Sequence, residues 1–454
     1  MVERRYFGLR RGRPYWVKRA RRRNAIFVAS LLFGLAWMVF SVWLSLPWLT
    51  DLGNLTHPLL ALAVLTFIAY LPGFMNAFLL SSLVLRPSSL RETPIEWPGV
   101  SVLVAAYNEE ATIAATLQSL SQLDYAGPVE VIVIDDGSRD RTFAIAESCA
   151  SLFAGQTQFG LKVVRMARNG GKAAALNHGL KGASHELIVT IDADTLLDPD
   201  ALRSVVEHLY AAPPQTAAVA GSVLVANAMA TLTTKVQQWD YFHGIAAVKR
   251  MQGMFNSTLV AQGAFSLYRK AALTAVGGWP DMVGEDIVLT WSLLREGYRV
   301  RHAEDAVAWT HAPEGFSQLA KQRRRWARGM IEALNLHKSL LLKPRIGTMF
   351  IHWNLLFIAI DVAFTFAFLP GLVLAALGIY WLAGPITLLV LPIAALWNII
   401  IYRIQSRMLK KEGITYAKSA LGFLVYAFAY TLVMQPVSVW GYMSEFFGRK
   451  KQWG

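Results

Sequence analysis

Apolar residues fall into two regimes along this chain. Towards the ends they run almost unbroken, over 25–49, 58–85, 355–382, 386–402 and 420–442. About 20 apolar residues make a helix that crosses the roughly 30 Å hydrocarbon layer of a bilayer. The first run is too long for a signal-peptide core, and no small-residue cleavage pattern follows it. The second, after a loop at 50–57, returns the chain to the side where it began. From 86 to 343 the apolar runs shorten, charges recur and Gly, Asp and Asn turns punctuate the sequence. The patterning predicts strands at 100–105, 129–134, 162–166 and 187–191, with helices at 110–121, 140–150 and 172–181. Alternating strands and helices imply a largely parallel α/β sheet covered on both faces. Ligands of such sheets sit beyond the carboxyl ends of the strands.

Composition reinforces this division. Of 454 residues, 54% are hydrophobic and 16% charged, which excludes a wholly soluble chain. The net charge is +14, and residues 1–24 alone carry ten Arg or Lys (Arg4, Arg5, Arg10, Arg11, Arg13, Lys18, Arg19, Arg21, Arg22, Arg23) against one Glu. A nucleic-acid-binding arm is one reading of that tail. Cations abutting an apolar span are more often a topology signal, which puts the tail and the middle domain in the cytoplasm. The expected organisation is a basic tail (1–24), two spans (25–85), a cytosolic domain (86–343) and an interfacial and membrane region (344–454) with about three spanning or re-entrant segments. The clusters Arg403, Arg407, Lys410, Lys411 and Arg449, Lys450, Lys451 both favour the inside, so Gln435-Pro436 is a candidate break in the last segment. The single cysteine, Cys149, cannot form an intrachain disulfide, in keeping with a reducing compartment.

Acidic motifs fall at the predicted strand ends. In VIVIDDGS, Asp135 and Asp136 follow an apolar strand; a carboxylate there can accept hydrogen bonds from a nucleobase or ribose, or cap the next helix. In LIVTIDADT, Asp192 and Asp194 alternate, and in an extended segment their side chains point the same way. Two such carboxylates suit Mg²⁺ or Mn²⁺ bound together with diphosphate oxygens. Asn169-Gly170-Gly171-Lys172 opens a helix whose amides can face an anion, although a plain loop fits as well. Gly284-Glu285-Asp286 precedes an apolar helix, where Asp286 is either an N-cap or a base for an acceptor hydroxyl. Within QRRRW, Gln322, Arg325 and Trp326 share one helical face, suited to a diphosphate and a sugar ring; a basic helix lying on anionic lipid, with Arg323, Arg324 and Arg328 towards the headgroups, is the other reading.

As an ordered set, Asp-Asp-Gly, Asp-x-Asp, an acid pair ending in Asp and Gln-x-x-Arg-Trp resembles the processive family-2 glycosyltransferases, which include cellulose, hyaluronan, chitin-oligosaccharide and poly-N-acetylglucosamine synthases. The resemblance runs from about residue 98 through QRRRW to the flanking spans. GEDIVLTW and QRRRWARG look most like the poly-β-1,6-N-acetylglucosamine synthase subgroup. It implies a GT-A fold, Rossmann-like with a mostly parallel sheet, joined to an α-helical transmembrane domain. It further implies UDP contacts by Ala106, Tyr107, Asn108, Glu109, Asp136, Lys172, Asp192 and Arg325, and Mg²⁺ or Mn²⁺ at Asp194 with Asp192. Asp286 becomes the catalytic base, and Glu285, Gly263, Gln322, Arg325 and Trp326 the donor and acceptor contacts. The implied partners are a UDP-sugar, a growing glycan and membrane lipid, with accessory membrane or export subunits allowed and no nucleic acid; the implied location is the plasma (inner) membrane. Two departures stand out: Gly284 occupies a position where relatives often have Thr, and no C-terminal regulatory domain of the cellulose-synthase kind is evident. A cellulose- or hyaluronan-type synthase is one alternative; sugar transfer to a polyprenyl phosphate is another, disfavoured by the Gln-x-x-Arg-Trp run. A transporter or silent assembly subunit is another; transporters more often carry several ionisable residues in their spans, whereas Asp361 is the one acid well inside a run here.

Overall fold

The computed structural model describes residues 15–87, 91–342, 346–383 and 385–448; side chains are described from residue 21 onwards, apart from 385–391 and 394. Most of the basic tail and the Arg449–Lys451 cluster lie outside the described residues.

Eight strands form one sheet: β1 (Val100–Ala106), β2 (Val129–Asp135), β3 (Phe159–Arg165), β4 (Leu187–Asp192), β5 (Thr195–Leu197), β6 (Thr216–Val225), β7 (Phe265–Arg269) and β8 (Arg299–Thr310). Their order is β3-β2-β1-β4-β7-β6-β8-β5. The first four are mutually parallel, as the strand–helix alternation predicts. The second half is mixed: β7 runs antiparallel to both neighbours and β5 antiparallel to β8, while β6 and β8 are parallel. Period-two alternation divides the core. Leu103, Ile132, Ile134 and Ile188 enter one cluster, while Val102, Val104, Val131, Val133 and Val189 enter the other. The Leu103 side also contains Phe78, Ile401, Val439 and Tyr442, so that core is continuous with helices from both ends of the chain.

Among the described residues four helices are long and apolar enough to cross a membrane: Arg21–Leu55, Pro58–Leu85, Ile346–Ala376 and Ala420–Phe446. The first continues to Leu55, which shortens the expected loop to Thr56 and His57. A further helix, Pro385–Lys411, lies between the last two. Asp361 accepts a hydrogen bond from Tyr442 Oη at 2.7 Å, linking two of the apolar helices.

Candidate active site

The loops leaving β1 and β2 are stitched together. Asn108 adopts φ 57°, a left-handed conformation that Asn tolerates because its short side chain bonds locally. Its N–H donates to Ser138 Oγ at 3.0 Å, its Oδ1 accepts from Arg139 N–H at 2.9 Å, and Glu109 N–H donates to Thr142 Oγ1 at 2.7 Å. Ala106 is buried at the end of β1, and Tyr107 is exposed beside it. These turns occupy the predicted starts of two helices, which begin instead at Ile113 and Thr142. Asp136 is buried and accepts from Gly170 N–H and Gly171 N–H at 2.8 Å each. The glycine amides at 170–171 do face an anion, and it is the protein's own carboxylate.

Beyond β4 the charges converge. Lys172, at the start of the Lys172–Gly182 helix, donates through Nζ to Asp192 Oδ1 and lies 3.6 Å from Glu285 Oε1. Gly263 leaves room for that contact, since a Cβ there would lie 2.6 Å from Lys172 Nζ. Burial alone would lower the Lys172 pKa; Asp192, Glu285 and Asp286 outweigh it and raise the value. Burial pushes Glu285 up to about 7, opposed by Lys172 and reinforced by Asp286. Asp194 is also raised, by burial and then by Asp192. Glu109 rises through burial, with further contributions from Asp194 and Asp192 beyond the opposing bond from Thr112. These carboxylates therefore repel one another across a shared space in which Lys172 supplies one compensating charge.

Asp194 stands in a turn, because β4 ends at Asp192. The extended-strand argument for aligning the two carboxylates therefore does not hold; the turn brings them within electrostatic reach, and Asp194 Oδ1 accepts from Thr195 Oγ1 at 3.2 Å and Thr310 Oγ1 at 3.3 Å. Among the described residues no three His, Cys, Asp or Glu side chains form a ready-made metal cage. Two mutually repelling carboxylates nevertheless fit a hard cation that completes its coordination with water and phosphate oxygens.

Asp286 lies in the first turn of the Glu285–Arg295 helix and is partly exposed. Its Oδ1 accepts from Ile287 N–H at 2.7 Å, while Oδ2 has no partner among the described residues. The helix-terminal role and an open carboxylate oxygen thus coexist. This turn rests directly on the Phe316–Leu336 helix: a Cβ on Gly284 would lie 2.6 Å from Gly329 Cα, and Gly284 N–H donates to Glu332 Oε2 at 3.1 Å.

The Phe316–Leu336 helix carries QRRRW. Gln322 has a buried Oε1 with no hydrogen-bonding partner, Arg325 is exposed and Trp326 is 41% exposed. Tyr241, buried below Trp326 with ring centroids 6.4 Å apart, is within electrostatic reach of Asp192 and Asp194, which ties this helix to the acidic cluster. Arg323, Arg324 and Arg328, which the interfacial reading turned towards lipid headgroups, have partners within the protein. Arg323 is buried, pairs with Asp240 at 2.7 Å and sits 4.1 Å from the Trp326 ring centroid; Arg324 lies over Trp440 at 5.4 Å; Arg328 pairs with Glu445 at 3.0 Å. The final apolar helix occupies that side, and Tyr430 Oη adds a 2.9 Å bond to Asp240.

One member of the site has no motif. Lys249 is buried on the Ala246–Met254 helix, donates to Gln262 Oε1, and is pushed down to about 7 by burial against the opposing pull of Asp286. Gln262 also donates to Gly221 O at 2.9 Å, which fixes the loop carrying Gly263. The sequence signal for Lys249 is only a lysine amid a buried helical face, visible once that helix is known to be covered.

A family model described as "Glycosyltransferase like family 2" matches residues 98–329. The poly-beta-1,6-N-acetyl-D-glucosamine synthase of Staphylococcus epidermidis is 37% identical over 237 residues, 52% of this chain and 55% of that protein. Its Staphylococcus aureus (strain COL) counterpart is 36% identical over 244 residues, 53% of this chain and 56% of that protein. The chain therefore spans about half the length of the curated relatives it matches. Among solved structures, the mannosyltransferase PcManGT from Pyrobaculum calidifontis, determined with GDP-Man and Mn²⁺, aligns with a TM-score of 0.57 at 20% identity, over 94% of this chain and all of that one. At that identity the likeness establishes a shared fold.

Proposed function

The chain belongs to glycosyltransferase family 2, and from that premise we propose that it is a membrane-embedded, inverting, processive synthase that polymerises a UDP-sugar, UDP-GlcNAc, into a β-linked exopolysaccharide and extrudes it through its membrane helices. The carrying observation is the convergence of Asp192, Asp194, Lys172 and the Glu285–Asp286 pair in one charged cleft beyond the strand ends, with Tyr241 linking it to Trp326. The poly-beta-1,6-N-acetyl-D-glucosamine synthases among its relatives support the choice of sugar.

In this reading the loop 106–109 and Asp136 receive the uridine, with Asp136 ordering the Gly170–Gly171 turn that presents Lys172 to the diphosphate. Asp192 and Asp194 would hold a divalent cation, Mg²⁺ or Mn²⁺, which when bound supplies positive charge against the diphosphate. Asp286 Oδ2 takes the proton from the acceptor hydroxyl as its oxygen bonds to the anomeric carbon. The bond from that carbon to the diphosphate breaks with inversion, and UDP leaves with the electron pair. Lys172, and Arg325 from the facing helix, offset the charge of the departing diphosphate. Gln322 orients donor or acceptor, and the Trp326 ring stacks on the acceptor sugar.

Four apolar helices of spanning length support a multi-pass location in the plasma membrane with the catalytic domain in the cytoplasm, working with lipid, the growing glycan and accessory export subunits. The test is to incubate membranes with radiolabelled UDP-GlcNAc, UDP-glucose and UDP-glucuronate, separately and together, and digest the product with polymer-specific hydrolases. Long product from UDP-GlcNAc, cut by a β-1,6-N-acetylglucosamine hydrolase, is expected. A single-sugar lipid product instead would refute processive synthesis.

A further inference from the structure

Away from the acidic cleft, a cavity of about 260 Å³ lies at the opposite end of the Glu285–Arg295 helix. Among the described residues three arginines line it, Arg23, Arg295 and Arg299, and no Asp or Glu does. Arg23 stands near the start of the apolar helix Arg21–Leu55, and Ile346, Gly347 and Thr348 on another wall open the apolar helix Ile346–Ala376. In the membrane reading the cavity therefore sits where two spans leave the bilayer for the cytosolic domain.

The arginines are not all committed to local partners. Arg295 Nε lies 3.3 Å from Glu296 Oε1, and both side chains are exposed. Arg23 and Arg299 have no ion-pair partner among the described residues and are close enough for their like charges to act on each other. Two guanidinium groups held beside each other at one cavity, with no carboxylate between them, are costly unless an anion joins them. The helix end itself is closed locally: Gly297, at φ 86°, donates its N–H to Leu294 O at 3.1 Å, and Tyr298 N–H donates to Leu293 O at 3.0 Å. With water occupying roughly 30 Å³ in the liquid, the cavity accommodates a phosphate and the group it esterifies.

We propose that this cavity binds a phosphate-bearing group, gripped by Arg23 and Arg299 with Arg295 at the rim. Two sources share that chemistry, an anionic phospholipid headgroup at the membrane surface and a free phosphate ester. Planar guanidinium forks match phosphate oxygens in pairs, which sets this site apart from diffuse attraction of a basic protein to an acidic surface.

The test uses the full chain, delipidated in neutral detergent and returned to nanodiscs of phosphatidylcholine with or without phosphatidylglycerol, with bound lipid counted by native mass spectrometry. A parallel arm titrates glycerol phosphate in detergent and follows thermal unfolding. The wild type is expected to retain phosphatidylglycerol over phosphatidylcholine. Arg299→Gln and Arg23→Gln should each weaken that preference about tenfold, the scale of one charge-assisted contact, whereas Arg403→Gln on a separate basic segment should leave it unchanged. Using two cavity variants guards against one failing to fold. Protection by glycerol phosphate that depends on Arg299, without lipid preference, assigns the site to the soluble source. Equal retention of both lipids with no effect of glycerol phosphate overturns the proposal, as does a preference that survives both cavity substitutions.

Discussion

Gly284→Ala tests whether the acid pair is held in place by backbone contact. In the wild type the helix beginning at Glu285 meets the Phe316–Leu336 helix through two glycines, and an added Cβ would lie 2.6 Å from Gly329 Cα and 2.9 Å from Ile287 Cγ2. Ordinary van der Waals contact begins at 3.4 Å, so the two helices must part by about 0.8 Å, with backbone rather than a flexible side chain in the way. Overpacking of this kind costs about 1–3 kcal/mol of stability. The kinetic effect is of similar size, because a displacement near 1 Å at a reacting group lowers rates by roughly 10²-fold, about 2.7 kcal/mol. The loop 106–109 and Asp136 lie on other elements, whereas Asp286, Gln322 and Arg325 ride on the two helices that part, so the loss should fall mainly on kcat with a smaller rise in the donor KM through Arg325. UDP release with UDP-GlcNAc as donor, measured beside thermal unfolding, reads both. Gly329→Ala strikes the same contact from the other side, at 2.7 Å from Gly284 Cα, and should give a similar and non-additive loss. Gly160→Ala, with no atom within 4 Å of the added Cβ, serves as the control. Wild-type kcat and an unmoved melting temperature in Gly284→Ala would refute the reasoning.

Asp286→Asn should abolish polymer formation by about 10²-fold or more while UDP-sugar binding, followed by calorimetry, stays close to wild type; retained turnover removes Asp286 from the base role. Glu285, lifted by burial to about 7, favours its neutral form in the folded protein, so its contribution to stability is complete below about pH 4.5 and is lost as pH rises through 7. Between these limits the wild type should lose up to about 3 kcal/mol from this group and Glu285→Gln should not; melting curves across pH 5–8 without donor check this, and parallel curves would count against it. Chelation should halt UDP release and Mn²⁺ or Mg²⁺ should restore it, with Asp194→Asn needing roughly tenfold more cation; activity indifferent to chelator would remove the cation from the site.

The parallel half of the sheet was legible because β1, β2 and β4 are short buried apolar runs, and Asp135 and Asp192 do close their strands. The antiparallel β7 and the three-residue β5 were not, since pairing direction is decided by distant partners that local patterning does not encode. The helix starts at 110 and 140 came too early for a related reason: Asp140 bonds Thr142 N–H at 3.0 Å and Glu110 N–H at 3.1 Å, so residues with helical neighbours are spent on joining two loops. Arginine density suggested a lipid-facing surface, yet Arg323, Arg324 and Arg328 find partners 83 to 117 positions away or across the chain, at Asp240, Trp440 and Glu445. Lys249 carried no signal of its own; its burial depends on the tertiary cover of its helix.

The pairing of the QRRRW helix with the last apolar helix has a practical consequence. A fragment cut at the membrane boundary would keep Arg323 and Asp240 but strip away Tyr430, Trp440 and Glu445, baring a charged and aromatic seam beside the reaction cleft. Under the proposed function, the α/β domain expressed alone is expected to lose activity. Conditions that tilt or loosen the final helix, including the choice of detergent or bilayer thickness, are expected to disturb these contacts and, under the proposed function, to lower activity.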